Sequence, residues 1–332
     1  MKIFSGTANL NFSQKVANHL SIKLSKVKIG RFADGEINII IEENVRKQDC
    51  YIIQPTGPSF NQTPNDNFME LLILCDALKR GSANSVNVIM PYYGYQRQDR
   101  KDYSRAPISA RVIANCLEAQ NISRVIVFDL HAGQIQGFFS SSTPFDNLYV
   151  ESNFIDYILD NKFDLEKLMI ISPDEGGMKR AVRVSNKLGV GMGTIYKERS
   201  EANVVNAMSL MGNVENKICI IVDDMIDTGG TACKASKLLK EKGAEKIYIF
   251  VCHGIFSGKA LENIKNSEFD KVIVTNTLDQ TRHIEKIKEL GIEDRMDIID
   301  VSWMCAEAIR GCNYGESLKE LYDNPKKINL YK

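Results

Sequence analysis

No stretch of this 332-residue chain is long and apolar enough to span a membrane, and residues 1–20 lack the continuous apolar segment of a secretory leader. A soluble, cytoplasmic protein is therefore expected. Net charge is also missing. The 42 Lys and Arg residues balance 42 Asp and Glu residues, which argues against a general nucleic-acid-binding or membrane-surface role. Eight cysteines are present, but none forms a Cys-x-x-Cys pair, and several sit in apolar runs. They read as reduced, mostly buried small hydrophobes of an intracellular protein. No low-complexity linker divides the chain. Its apolar content of 44% is enough for one large or two ordinary cores.

The most informative stretch is 217–230. Residues 218–222 (Ile-Cys-Ile-Ile-Val) form an apolar, mostly β-branched run that predicts a buried strand. Asp223 and Asp224 follow, then Asp227-Thr228-Gly229-Gly230 and a helical pattern from Thr231 to Gly243. This order places a ligand site at the carboxyl end of a parallel strand. The glycines let backbone N–H groups turn inward, and with Thr228, Thr231 and the helix N-terminus they suit a phosphate. The acidic pair suits ribose hydroxyls, or a hard cation bridging to phosphate oxygens. A site with both halves fits a phosphorylated sugar. A bare strand end with Asp caps and a Gly turn would explain a lone Asp-x-x-Asp, but not the whole pattern.

Elsewhere the chain alternates strand and helix signals. Residues 2–5 read as a strand and 9–20 as a helix. The segment 31–37 (Arg-Phe-Ala-Asp-Gly-Glu-Ile) with alternating Ile37, Ile39 and Ile41 fits a hairpin with an exposed tip, and by itself reads best as an ordinary Asp-Gly turn. Strand 51–53 runs into Pro55-Thr56-Gly57-Pro58, and Asn67 is expected to cap the amphipathic helix that follows. Strand 86–90 leads into Tyr92, Tyr93, Gly94, Tyr95 and the charged run 97–102, where three tyrosines beside cations suggest base stacking and polyphosphate binding. Pro107 is expected to start a helix. Strand 124–128 ends in Asp129-Leu130-His131, where the carboxylate and imidazole suit a metal, or His131 a phosphate. From about residue 150 the pattern restarts. Strand 168–171 ends in Ser172-Pro173-Asp174-Glu175-Gly176-Gly177 and precedes a helix. Residues 196–203 (Tyr-Lys-Glu-Arg-Ser-Glu-Ala-Asn) read either as a mobile loop over the site or as a salt-bridged turn. The restart predicts an α/β protein of two similar domains in tandem.

Taken together, the segments 31–37, 92–102, 104–110, 129–139, 172–180, 197–199, 223–231, 253–258 and 274–277 resemble the ribose-phosphate pyrophosphokinase family, and 217–230 resembles the phosphoribosyl-binding motif of the type I phosphoribosyltransferase fold. The resemblance spans almost the whole chain. It implies two phosphoribosyltransferase-like domains, each a mainly parallel sheet flanked by helices, at 1–150 (ATP side) and 151–310 (ribose 5-phosphate side), with a tail at 311–332 packing back on the first. It further implies transfer of the pyrophosphoryl group of ATP to the anomeric hydroxyl of ribose 5-phosphate, with Mg²⁺ as cofactor. By the same resemblance Lys197 and Arg199 are the catalytic pair. Phe32, Asp34 and Glu36 from a neighbouring subunit, with Arg97, Gln98, Asp102 and His131, bind ATP. Asp174, Asp223, Asp224, Asp227, Thr228, Gly229, Gly230 and Thr231 hold ribose 5-phosphate. Asp129, His131 and Asp174 serve the metal. The implied assembly is a homo-oligomer, a hexamer built from dimers.

Departures from the family pattern fall in 140–146 (Ser-Ser-Ser-Thr-Pro-Phe-Asp), where an acidic residue usual after the Phe-Phe pair is absent and the link is longer, and at Lys319, where a Ser is common. Arg46, Asp146 and Ser317 remain as candidate regulatory residues, and the serine-rich link is expected to be mobile. Two other readings compete. A phosphoribosyltransferase needs neither the second domain nor segments 92–102 and 197–199. A non-catalytic regulatory subunit is expected to lose catalytic residues, yet Lys197, Arg199, Asp223, Asp224, Asp227 and His131 are all present.

Overall fold

In the computed structural model the described residues are 1–201, 204–319 and 321, with side chains described except at 197–207. They form two compact units. The first comprises Met1–Tyr149, Asn276–Arg282 and the described residues from Asp300 onward, and the second Val150–Thr275 and His283–Ile299.

In the first unit the elements are β1 (Lys2–Ser5), α1 (Leu10–His19), β2 (Val27–Arg31), β3 (Ile37–Ile41), β4 (Asp49–Ile53), α2 (Pro64–Arg80), β5 (Ser85–Met90), α3 (Ser109–Ala119), β6 (Arg124–Phe128) and β7 (Phe145–Leu148). Five of these strands make an all-parallel sheet in the order β1-β4-β5-β6-β7. Ile52, Ile53, Val88, Ile89 and Val125–Phe128 are wholly buried. This is why the strands read as unbroken apolar runs, since helices cover both faces of a parallel sheet. The edge strand β7 carries polar Asp146 and Asn147, so its pattern is too short and mixed to be read as a strand from sequence. β2 and β3 pair antiparallel as a separate hairpin.

The cap of α2 differs from the expectation. Thr63, not Asn67, caps the helix. Its hydroxyl accepts from the Asp66 N–H, the Asp66 carboxylate accepts from the Thr63 N–H at 2.9 Å, and Pro64 fills the first helical position. Asn67 lies inside the helix, fully buried, donating to Gly57 O at 2.7 Å. The helix after Pro107 starts at Ser109. The serine-rich link is pinned locally. Ser140 N–H and Oγ–H both donate to Glu118 at 2.6 Å, and Thr143 N–H donates to Ser140 O at 3.0 Å. Serine here satisfies nearby polar groups.

The second unit holds α4 (Glu151–Asp160), β8 (Leu168–Ser172), α5 (Met178–Leu188), β9 (Gly191–Glu201), β10 (Val204–Met211), β11 (Ile218–Ile226), α6 (Gly230–Glu241), β12 (Lys246–Gly254), α7 (Ala260–Lys265), β13 (Lys271–Thr275), α8 (Ile284–Leu290) and β14 (Met296–Ile299). Its sheet runs β10-β9-β8-β11-β12-β13-β14, parallel except for β10. The central strand β11 extends past the apolar run 218–222 to Ile226, because β12 continues alongside it and pairs Asp223 with Val251 and Met225 with His253. The chain then rejoins the first unit, where α9 (Ser302–Tyr314) closes the described fold. Lys15 on α1 bonds Asp300, just before α9, at 2.8 Å.

Candidate functional site

The turn after β11 is held open by its own geometry. Gly229 sits at φ +74, a left-handed conformation that side-chain-bearing residues rarely adopt, and no side chain caps α6. As at any helix start, the first N–H groups of α6 have no intrahelical partner. Contacts from beyond β12 fix the turn from behind. Ser257 N–H donates to Asp227 O at 3.1 Å, and Asn263 Nδ2 donates to Thr228 O at 2.9 Å. Thr228 and Thr231 are exposed. A helix start of this kind suits an anion.

Beside it stand Asp223, with its side chain 28% exposed, and Asp224, at 6%. Burial, then the neighbouring charge of Asp224, push the Asp223 carboxyl well above the ordinary carboxylate range. Arg180 of α5, its side chain 10% exposed, opposes this with Nη1 at 3.8 Å from Asp223 and 3.9 Å from Asp224. Asp174, on the turn after β8, is half-buried, and its Oδ1 accepts from the Gly177 N–H at 3.1 Å. Among the described residues, Arg180 thus faces two adjacent carboxylates at once. A hard cation and a hydroxyl-bearing ligand suit such a pair.

In the first unit, two loops at the carboxyl ends of β4 and β5 are zipped together. Thr56 N–H donates to Tyr92 O at 3.0 Å and Gly94 N–H to Thr56 Oγ1 at 2.8 Å. A Cβ on Gly94 would lie 2.5 Å from Thr56 O, so the approach requires glycine. The three tyrosines divide. Tyr92 and Tyr93 are core residues at 6% and 0% exposure, and only Tyr95 reaches solvent. A stacking role for all three is therefore excluded; packing claimed two of them. Arg97, Gln98 and Asp102 are exposed, with Asp102 paired to Arg100 at 2.9 Å and Gln98 accepting from Ser109 Oγ at 2.5 Å. After β6, His131 is exposed while Asp129 is wholly enclosed at φ +38. Enclosure sets Asp129 apart from His131, which faces solvent. The tip of the β2–β3 hairpin presents Phe32 at 55% exposure, with Asp34 and Glu36 exposed beside it.

The comparisons with known proteins bear on the whole chain. The family model for the N-terminal domain of ribose phosphate pyrophosphokinase matches residues 1–120, and that for the phosphoribosyl synthetase-associated domain matches 196–323. Ribose-phosphate pyrophosphokinase A of Dictyostelium discoideum is 42% identical over 98% of this chain and 99% of its own length. The chain belongs to the ribose-phosphate pyrophosphokinase family. The Helicobacter pylori ribose-phosphate pyrophosphokinase is 44% identical over 97% of this chain and 96% of its own. Among solved structures, the phosphoribosylpyrophosphate synthetase of Mycobacterium smegmatis matches with a TM-score of 0.84 at 35% identity, covering 95% of this chain and 99% of that one. The expected α/β class with phosphoribosyltransferase-like sheets is therefore the observed one.

Lys197 and Arg199 lie in β9, opposite Met208 and Val205 of β10, and Glu201 is still within the strand. The backbone of 196–201 is thus extended and paired where a loop or turn was expected. The side chains of Lys197 and Arg199, and residues 202–203, lie outside the described set. Arg46 and Ser317 are exposed, and Asp146 is bonded to Arg124 across the β6–β7 edge. Two polar residues escape a sequence reading. Arg180 meets the acidic pair only through folding, and Gln96 looks like one more polar loop residue although it is fully buried.

Proposed function

We propose that the chain is a ribose-phosphate diphosphokinase that moves the β,γ-pyrophosphoryl group of ATP onto the anomeric hydroxyl of ribose 5-phosphate. The hydroxyl oxygen bonds to the β-phosphorus and gives up its proton to solvent, the bond from that phosphorus to the α,β-bridging oxygen breaks, and AMP leaves with that oxygen. What supports this reading most is the turn 227–231 with its acidic pair. An uncapped helix N-terminus for the sugar phosphate lies directly beside carboxylates for the ribose hydroxyls. Arg97, Gln98, Asp102 and His131 are assigned to ATP, together with Phe32, Asp34 and Glu36 of a neighbouring copy. Lys197 and Arg199 supply charge to the equatorial oxygens as they become more negative, the main demand of phosphoryl chemistry.

Mg²⁺ fits this donor set. Among the described residues no three His, Cys, Asp or Glu side chains close a cage, which suits a cation that takes one or two protein oxygens and otherwise water and phosphate oxygens. His131 and Asp174 are the accessible candidates, and Asp223 and Asp224 lie on the ribose side. When bound, Mg²⁺ supplies charge neutralisation and acidifies the hydroxyl. The domain reading is two phosphoribosyltransferase-like halves with a tail belonging to the first. The assembly is a homo-oligomer built from dimers, and the setting is cytoplasmic. The eight free thiols agree with a reducing compartment. Burial pushes Cys50 up to about 11 and Cys75 and Cys219 to about 12, so these thiols stay protonated and inert.

Incubation with ATP, ribose 5-phosphate and Mg²⁺, followed by chromatography, tests the reading. Equal yields of AMP and phosphoribosyl pyrophosphate are expected. Turnover only with a nucleobase and phosphoribosyl pyrophosphate would instead identify a phosphoribosyltransferase, and no turnover in either assay would identify a regulatory subunit.

A further inference from the structure

We propose that Gln96 is a positioning residue of the nucleotide site. Its buried carboxamide holds the turn that carries His131 against the loop that carries Arg97. The inference rests on the assignment of Arg97 and His131 to ATP. Gln96 is 0% exposed although Tyr95 and Arg97 on either side are exposed. Its Oε1 accepts from the backbone N–H of His131 at 2.9 Å. The two preceding N–H groups are also engaged, Asp129 with Leu148 O at 2.9 Å and Leu130 with Asn147 Oδ1 at 3.1 Å. Three consecutive amides are thus fixed, two by the β7 side and one by the nucleotide loop. A second tie joins the same two segments, since Gln134 Nε2 donates to Asp99.

The turn needs such restraint, because Asp129 stands at φ +38, outside the comfortable range of an L residue. Packing alone does not account for a glutamine here. Its Nε2 is buried and makes no hydrogen bond among the described residues, so an apolar side chain of equal size would avoid a desolvation cost. The acceptor oxygen is the part of the side chain with a function. It sets where the backbone of His131 lies relative to Arg97, one residue from Gln96.

The test uses Gln96→Met, which keeps volume and removes the acceptor, and Gln96→Asn, which withdraws it by one methylene. Either variant serves if the other does not fold. His131→Ala is the control for the underlying assignment. The readouts are KM for ATP and for ribose 5-phosphate, calorimetric affinity for a non-hydrolysable ATP analogue, and hydrogen exchange at the His131 amide. Loss of one positioned hydrogen bond predicts a rise of roughly 3- to 10-fold in KM for ATP and in analogue Kd. KM for ribose 5-phosphate should stay within about twofold, and the His131 amide should exchange faster. Unchanged analogue affinity and KM in both Gln96 variants, with His131→Ala impaired, would overturn the role of Gln96 alone. An unimpaired His131→Ala would overturn the nucleotide assignment and this inference with it.

Discussion

Asp223 carries the conflict between stability and function at the scale of one residue. Its carboxyl is held above the ordinary range by burial and by Asp224, with Arg180 only partly compensating. A carboxyl raised in the folded state binds a proton that the unfolded chain has released. Its contribution to stability is therefore complete below the unfolded value and is lost as pH rises through the folded one. Asp223→Asn removes the repulsion, so the ligand-free protein should gain about 1 kcal/mol, or a Tm higher by about 2–4 °C, with the gain growing as pH rises above the unfolded carboxylate value. The same variant should lose roughly 10²-fold or more in turnover, through the lost contact to ribose or cation. Melts and rates on one preparation check both. A destabilised Asn variant would show that the carboxylate is a net structural asset. Binding of ribose 5-phosphate with Mg²⁺ should also release protons, visible as a buffer-dependent heat in calorimetry.

Among elements, the β9–β10 hairpin and the α1–α9 pair behave differently. The hairpin lies at the sheet edge beyond β8, and its far part holds Lys197 and Arg199 on a backbone paired, among the described residues, with β10. Lys197→Ala and Arg199→Ala should each lower turnover by roughly 10²–10⁴-fold while substrate affinities move far less, as expected of charges that act in the transition state. Near-normal turnover in either variant would remove that residue from the catalytic role. The second element pair is held by Asp300. Burial alone would raise this carboxyl, but Lys15, the hydroxyl and N–H of Ser302 and the amide of Asn276 outweigh it and hold the group at about 2. A depressed carboxyl stabilises above its unfolded value and stops doing so as pH falls through the folded one. Acid unfolding followed by circular dichroism should therefore show wild type losing stability between about pH 4 and pH 2, and Asp300→Asn, already weakened, losing less across that window.

For the whole molecule the open question is whether the ATP site is shared between copies. Phe32 is more than half exposed at a hairpin tip, where Arg31 bonds Asp66 at 3.1 Å and so steadies the approach to an apolar side chain with no core to enter. Phe32→Ala should weaken ATP binding and spare ribose 5-phosphate. If each site takes its hairpin from one copy and its catalytic pair from the other, mixing Phe32→Ala with Lys197→Ala after subunit exchange restores intact sites. In a random equal mixture half the dimers are mixed and each has one intact site, so activity should reach roughly a quarter of wild type. Absence of recovery after exchange has been verified by mass labels would place the whole site within one copy.

The sequence by itself determined the parts that depend on neighbours along the chain. The apolar run 218–222 had to be a covered strand, the Asp227-Thr228-Gly229-Gly230 turn had to be tight, and the Arg31–Ile37 tip had to be exposed. These outcomes follow from Cβ sterics, β-branching and turn chemistry, which act over a few residues. Packing decided the rest, because burial depends on what arrives from far along the chain. Tyr92 and Tyr93 look like ligand stackers in sequence but are core, since the loops after β4 and β5 bond to each other there. Asn67 looks like a cap but is a buried tie to Gly57, because Thr63 and Asp66 satisfy the helix end first. β11 outran its apolar stretch because β12 supplied hydrogen-bond partners alongside the acidic pair. Arg180 came to face Asp223 and Asp224, and Gln96 to hold His131, only once separate strands had been set side by side.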